Sequence, residues 1–224
     1  MRPTNRRLKV VNARYKEHKL SRDDLRRVKA VKKLLPSDIS IMIDIGCFDG
    51  TITNILRPNR EVTVIGLELL EEASRRAKGR VDEVILCDIE ESLPLRDDCA
   101  DCVYAGEIIE HLFDPDYFVE EGRRILKQNG CLIITTPNLA GLGSRLSLLL
   151  GRKPWMIEER LREEYAGHIR HFTVSTLEDT MRDHGLAVNR VTSDGIKLGR
   201  IVSKRLRQVM PRLGLHIIVR AKKE

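Results

Sequence analysis

Alternating strand and helix signals predict an α/β fold built on a doubly wound, mostly parallel sheet. The prediction adds an antiparallel C-terminal edge strand and inserted lid helices. Three observations support it. From Ile39 onward, short apolar runs alternate with helical periodicity. Ile39–Ile45 is a continuous apolar run broken only by Ser40 and Asp44, as expected of a parallel strand covered on both faces. After Pro137 the rhythm changes, and two late apolar runs follow.

In chain order, Ser21 offers an N-cap and Asp24 completes a capping box. Leu25, Val28, Val31 and Leu34/Leu35 recur at helical spacing until Pro36. Helices are expected over 51–56, 71–78 and 115–127, the last ending at Asn129-Gly130. Strands are expected over 39–45, 61–67, 84–87, 101–105 and 131–136. Residues 139–165 read as one or two inserted helices. Their apolar residues Leu142, Leu146, Leu148–Leu150, Trp155 and Met156 fit a lid over a greasy acceptor or, for most of them, core. Thr173 or Ser175 caps a helix that Gly185 stops. Strands at 186–192 and 216–221 then flank a Lys/Arg-rich helix or long loop over 196–212. The organisation expected is a basic arm and helix over 1–36 and one domain over 37–224, with 139–170 as the inserted segment.

The 224 residues suffice for one such domain. Apolar runs such as Leu148–Leu150 fall far short of the ~20 residues of a membrane span, and no apolar stretch backs the charged N-terminus, so a cytoplasmic protein is expected. Five cysteines, an odd number in mostly apolar surroundings, suit reduced thiols. Cys99 and Cys102 have CxxC spacing, but no second pair or nearby histidine completes a zinc site. The net charge of +7 is uneven: residues 1–34 hold thirteen Lys/Arg against three Asp/Glu, which leaves −3 for the remainder. Such an arm is either a solvated face or a contact for nucleic acid, an anionic membrane surface or a phosphorylated substrate.

The chemistry concentrates at strand ends. Ile41–Gly50 ends a strand and precedes a helix, and its glycines allow a tight turn and close ligand approach. Glu68 ends the second strand, where a carboxylate can accept from vicinal ribose hydroxyls. Asp88 follows the third strand and can accept from an exocyclic amine while Ile89 faces the ring. Glu107 follows the fourth, on the same rim.

The segments IDIGCFDG, Glu68, CDIEESLPLRDDCADCVYAGEIIEHL, GCLIITTPN and HIRHFTVSTLEDTMRDHGL together resemble the class I S-adenosylmethionine-dependent methyltransferases. The likeness is strongest to their ubiquinone-biosynthesis-like (type 11/12) branch, whose sheet is Rossmann-like, and covers roughly residues 38–192. It implies S-adenosyl-L-methionine as cofactor. Asp44, Gly46 and Gly50 would shape the methionine pocket, Glu68 would hold the ribose, Asp88 and Ile89 the adenine, and Glu107 the floor near the methyl group. Cys47, Phe48 and Leu69 complete the cofactor-binding set. Phe48 stands where these enzymes usually carry Gly, which restricts the turn and would narrow the pocket.

Glu107, Glu110 and His111, with His168, also resemble the divalent-metal ligands of methyltransferases that act on small-RNA 3′ ends or quinone rings. Without a metal, His111 and His168 are the expected catalytic residues, as proton acceptors or hydrogen-bonding groups at the site mouth. His168, Arg170 and His171 would line the acceptor side. The acceptor expected is a small-molecule or lipid-like hydroxyl. The alternatives are an RNA substrate held by the basic arm, a NAD-dependent oxidoreductase and a non-catalytic cofactor-binding protein. The missing GxGxxG argues against NAD, and a 4% aromatic content against base-stacking platforms.

Overall fold

The computed structural model describes residues 20–158, 167–198, 201–203 and 210–224. The expectations for residues 1–19, and for parts of the inserted and 196–212 segments, lie outside them. Helix α1 (Arg22–Val31) starts at the foreseen box: Ser21 Oγ accepts from Asp24 N–H at 3.1 Å, and the Asp24 carboxylate accepts from Ser21 N–H at 2.9 Å. Then follow β1 (Ile41–Ile45), α2 (Thr51–Leu56), β2 (Thr63–Glu68), α3 (Glu71–Ala77), β3 (Glu83–Leu86), β4 (Ala100–Gly106), a 3₁₀ turn at Ile109–His111, α4 (Pro115–Ile125) and β5 (Leu126–Pro137). The chain closes with α5 (Leu142–Leu149), α6 (Val174–Asp183), β6 (Leu186–Ser193), β7 (Ile196–Leu198), β8 (Ile201–Ser203) and β9 (His216–Lys223).

Seven strands form one sheet in the order β3-β2-β1-β4-β5-β9-β6. All pairs from β3 to β5 are parallel. The C-terminal strand β9 is antiparallel to both neighbours and lies one place in from the edge, with β6 outside it. Period-two alternation divides the core. Met42, Cys102, Tyr104, Cys131 and Ile133 pack with Val28 and Val31 of α1 and Leu56 of α2. Ile43, Ile45, Val103, Ala105, Leu132 and Ile134 pack on the other face with Phe118 of α4 and Leu177 and Met181 of α6. Each strand of the centre is thus buried on both sides, which is why it reads as an unbroken apolar run.

Three expectations are corrected. The helix expected to reach Lys127 ends at Ile125, because Leu126 already pairs with Ala100. Asn129, with φ +65°, lies within the long β5 rather than after a helix; the register shift sits between Ala100 and Cys102. In the described part of segment 196–212, residues 196–198 and 201–203 form the antiparallel β7–β8 pair where a helix or long loop was expected. Most of the inserted apolar residues are not core: Leu146, Leu148, Leu149, Leu150 and Trp155 are exposed, and Met156 alone of that group is buried. All five cysteines are free thiols, and Cys102 Sγ lies 3.6 Å from Cys131 across neighbouring strands rather than beside Cys99. No described helix is long and apolar enough to cross a membrane.

The end of β5 is tied to the C-terminal region by one amide. Asn138 is 1% exposed; its Nδ2 donates to the carbonyls of Arg212 and Gly214 at 3.0 and 2.9 Å, and its Oδ1 accepts from Ala140 N–H at 3.0 Å. Asn138→Ala leaves buried carbonyls and an N–H without that partner, so a loss of about 2 kcal/mol is expected. Urea denaturation would measure it, and an unchanged midpoint would show that the amide is dispensable.

Candidate active site

Chain connections run outward from β1 in one direction through β2 to β3 and in the other through β4 to β5. The order therefore reverses between β1 and β4, and open α/β sheets take their ligands at the carboxyl ends of the strands beside such a reversal. The residues expected to bind a cofactor follow the ends of four consecutive strands in this sheet: Gly46 after β1, Glu68 in β2, Asp88 after β3 and Glu107 after β4.

The β1–α2 turn is a run of left-handed residues: Gly46 at φ +77°, Phe48 at +50° and Gly50 at +75°. Gly46 and Cys47 both donate N–H to Leu67 O, at 2.9 and 3.1 Å, which folds the turn back onto β2. Phe48 adopts a conformation that L side chains reach only with strain. It is held there because its N–H donates to Glu68 Oε2 at 2.8 Å, while its ring lies 5.3 Å from the Arg76 guanidinium. A Cβ on Gly46 would overlap the Ile108 side chain, which lies over the turn from the β4 side.

Glu68 is buried, and its Oε1 accepts from Leu69 and Leu70 N–H at 2.9 and 2.8 Å. Burial pushes this carboxyl above its ordinary pKa, and the three backbone N–H groups oppose the rise. A carboxylate offers about four lone-pair positions. With three taken, one on Oε2 remains for a ligand hydroxyl. Asp44 is 3% exposed and bonds Thr53 Oγ1; burial pushes its pKa up to about 7. Asp88 Oδ1 accepts from Glu90 N–H at 3.0 Å, and Cys87, Asp88 and Ile89 are half-buried along the same rim.

Glu107, at φ +57°, turns its carboxylate into a polar cluster. Its Oε1 accepts from Thr135 Oγ1 at 2.8 Å; Oε2 lies 3.5 Å from His216 Nε2 and 3.7 Å from Arg27 Nη1. Against the penalty of burial, Arg27 and His216 hold Glu107 below its ordinary pKa. A cavity of about 650 Å³ opens beside this cluster, lined by Arg27 of α1, Asn138, Leu142 and Ser144 of α5, Trp155 and His216. The sequence reading missed Arg27 and His216. Nothing local marks them, since they reach the site only through helix α1 and the first residue of β9.

The metal expectation divides. Glu110, His111 and His168 bring ligand atoms within 4.8 Å of one another. Glu107 does not join them, being turned to Arg27, His216 and Thr135. Glu110 is 1% exposed; Oε2 accepts from Thr136 Oγ1 at 2.9 Å, whereas Oε1 has no hydrogen-bond partner among the described residues and lies 3.9 Å from His168 Nε2. Burial, reinforced by Glu107, raises the Glu110 pKa well above the usual value, and burial lowers that of His168. His111 Nδ1 lies 3.2 Å from Gly167 O, and the two imidazole rings are 5.0 Å apart.

Residues 43–134 match the family described as a methyltransferase domain. A human mitochondrial ubiquinone biosynthesis O-methyltransferase is 26% identical over 159 residues, which is 67% of this chain and 42% of that protein. The chain therefore spans about two fifths of that curated relative. Among solved structures, a S-adenosylmethionine-dependent methyltransferase of Thermotoga maritima superposes with a TM-score of 0.66 at 22% identity, covering 98% of this chain and 94% of its own. Another, from Archaeoglobus fulgidus, gives 0.63 at 19% identity over 88% and 94%. At such identities the structural likeness speaks for the fold.

Proposed function

We propose that this chain, whose residues 43–134 belong to the class I S-adenosylmethionine-dependent methyltransferase family, transfers a methyl group to a small-molecule or lipid-like hydroxyl. The observation that carries the reading is the convergence of Gly46, Glu68, Asp88 and Glu107 at the ends of four consecutive strands in one sheet, with a cavity beside the last. S-Adenosylmethionine, the cofactor of this family, supplies a methyl group already activated on sulfur. The chain's residues have to bind, orient and exclude water.

Three features fit that molecule. Glu68 keeps one acceptor position for a ribose hydroxyl, the left-handed turn at Gly46–Gly50 lets backbone approach a ligand closely, and Ile89 offers an apolar edge beside Asp88. Entry of the methionine moiety at Gly46 requires Ile108 to change rotamer, a small cost for an aliphatic side chain compared with moving backbone. The cavity volume suits a compact acceptor. Exposed Leu146, Leu148, Leu149 and Leu150 on and beside α5, with Trp155 at the cavity wall, favour one with apolar bulk. Calorimetry should show S-adenosylmethionine binding in about the micromolar range and no heat with NAD. The opposite preference would refute the assignment.

A divalent ion is a second element of the proposal, supported by the unpartnered Glu110 Oε1 facing His168. Glu110, His111 and His168 supply one carboxylate and two imidazoles, a set that suits first-row divalent ions. Such an ion would lower the pKa of an acceptor hydroxyl. Electron paramagnetic resonance of chelator-treated protein titrated with Mn²⁺ should find one bound ion per chain, weakened at least about tenfold in His111→Ala. Equal binding by the variant would exclude this set.

A further inference from the structure

We propose that His216, oriented by Asp194, takes the proton from the acceptor's attacking atom, and that the acceptor enters through the cavity between α1 and α5. This rests on the methyl-transfer reading and adds a proton acceptor to it.

His216 opens β9 opposite Pro137, the last residue of β5, so it stands at the same sheet edge as Glu107. Asp194, 1% exposed, follows β6 and accepts twice from this one residue: Oδ1 from the His216 backbone N–H at 3.0 Å, and Oδ2 from Nδ1 at 2.9 Å. A carboxylate on Nδ1 selects the tautomer that carries its hydrogen there, which leaves the lone pair on Nε2. That Nε2 lies 3.5 Å from Glu107 Oε2, and His216 is part of the cavity wall. The proton-accepting atom is therefore placed where the cavity meets the end of β4.

The charged groups around the ring are Glu107 from the end of β4, Asp194 from the end of β6, and Arg27 from α1, which is itself paired with Asp24. Burial disfavours the imidazolium, but Glu107 and Asp194 outweigh it and raise the His216 pKa, with Arg27 opposing them. A base of this kind matches proton transfer near neutral pH. In the step itself, the acceptor oxygen forms a bond to the methyl carbon as the carbon–sulfur bond breaks. Sulfur keeps that electron pair as a neutral thioether, and the hydroxyl proton passes to Nε2.

The test uses the full chain saturated with S-adenosylhomocysteine, phenol as the probe hydroxyl and toluene as its apolar counterpart. Trp155 is the only tryptophan and lines the cavity, so its emission reports occupancy. Phenol should change that emission in the millimolar range expected of so small a ligand and shift the ¹⁵N resonance of His216 Nε2 over the same concentrations. Toluene should change the emission alone. His216→Asn should weaken phenol at least about fivefold while leaving toluene unchanged, the loss expected for one hydrogen bond. Asp194→Asn should lower the imidazole pKa by about one unit or more and populate the Nε2–H tautomer, which mere loss of packing would not do. An Nε2 resonance indifferent to phenol, an Nε2–H tautomer in the neutral wild-type ring, or no emission change at all would overturn the proposal. S-Adenosylhomocysteine affinity is read separately. If it is absent, the methyl-transfer reading fails, and phenol titration of the ligand-free chain still judges the His216 site.

Discussion

Glu68→Ala is expected to weaken S-adenosylmethionine binding about 100-fold, the loss of one hydrogen bond to a charged acceptor together with the turn it braces. The side chain acts twice. In the proposed site its remaining Oε2 position would take a ribose hydroxyl, and in the fold it holds the turn through Phe48, Leu69 and Leu70 N–H. Without the carboxylate, Phe48 loses the bond that offsets its φ of +50°, and the β1–α2 turn loosens where the cofactor should lie. Calorimetric titration of wild type and Glu68→Ala measures the effect, with circular dichroism checking the fold. Glu68→Gln separates the contributions: with its carbonyl oxygen in the Oε2 position it keeps an acceptor for the Phe48 N–H and for a ribose hydroxyl, whereas its NH₂ cannot accept from Leu69 and Leu70 N–H. Undiminished affinity in both variants would remove Glu68 from the site.

Asp44→Asn is expected to stabilise the protein while damaging its function. The carboxyl is buried in the centre of the sheet, which pushes its pKa from an ordinary 3.8 up to about 7. Because the folded state binds this proton more tightly than the unfolded chain, stability declines as pH rises between these two values. Above them the buried carboxylate costs on the order of 4 kcal/mol, an upper figure for a site that can relax. Asparagine retains an oxygen for Thr53 Oγ1 and has no charge to bury. Urea denaturation should therefore show a gain of about 2–4 kcal/mol at pH 8 that shrinks towards zero near pH 4. Weaker S-adenosylmethionine binding should accompany it, since a polar group kept at such a cost is commonly a functional one. Equal gains at both pH values would mean that Asp44 does not titrate in the native state.

The proposed cofactor side of the site was legible because its signals are local. A glycine-bearing turn must follow β1, and an acid at a strand end needs only the strand to be recognised, so Gly46, Gly50, Glu68 and Asp88 could be placed from spacing alone. The acceptor side was not. His216 is a lone histidine before an apolar run, and Arg27 is one of thirteen basic residues in the first 34. Only the insertion of β9 between β5 and β6 brings His216 to Glu107, and only the packing of Val28 and Val31 on the sheet aims α1 at the same spot. The leucines near α5 illustrate the opposite error: an apolar run suggests burial, yet nothing in the described fold covers Leu148, Leu149 or Leu150.

What the sequence determined by itself was the succession of strands and helices, the parallel centre of the sheet and the acids at the strand ends. Those features depend on periodicities of two and 3.6 residues and on single-residue backbone preferences, which act over a few positions. Tertiary structure alone decided that Glu107 faces Arg27 and His216 rather than the Glu110–His111–His168 group, and where the cavity opens. These depend on residues far apart in the chain, as Arg27 and His216 both come to Glu107, which follows from how the layers pack and from no local pattern.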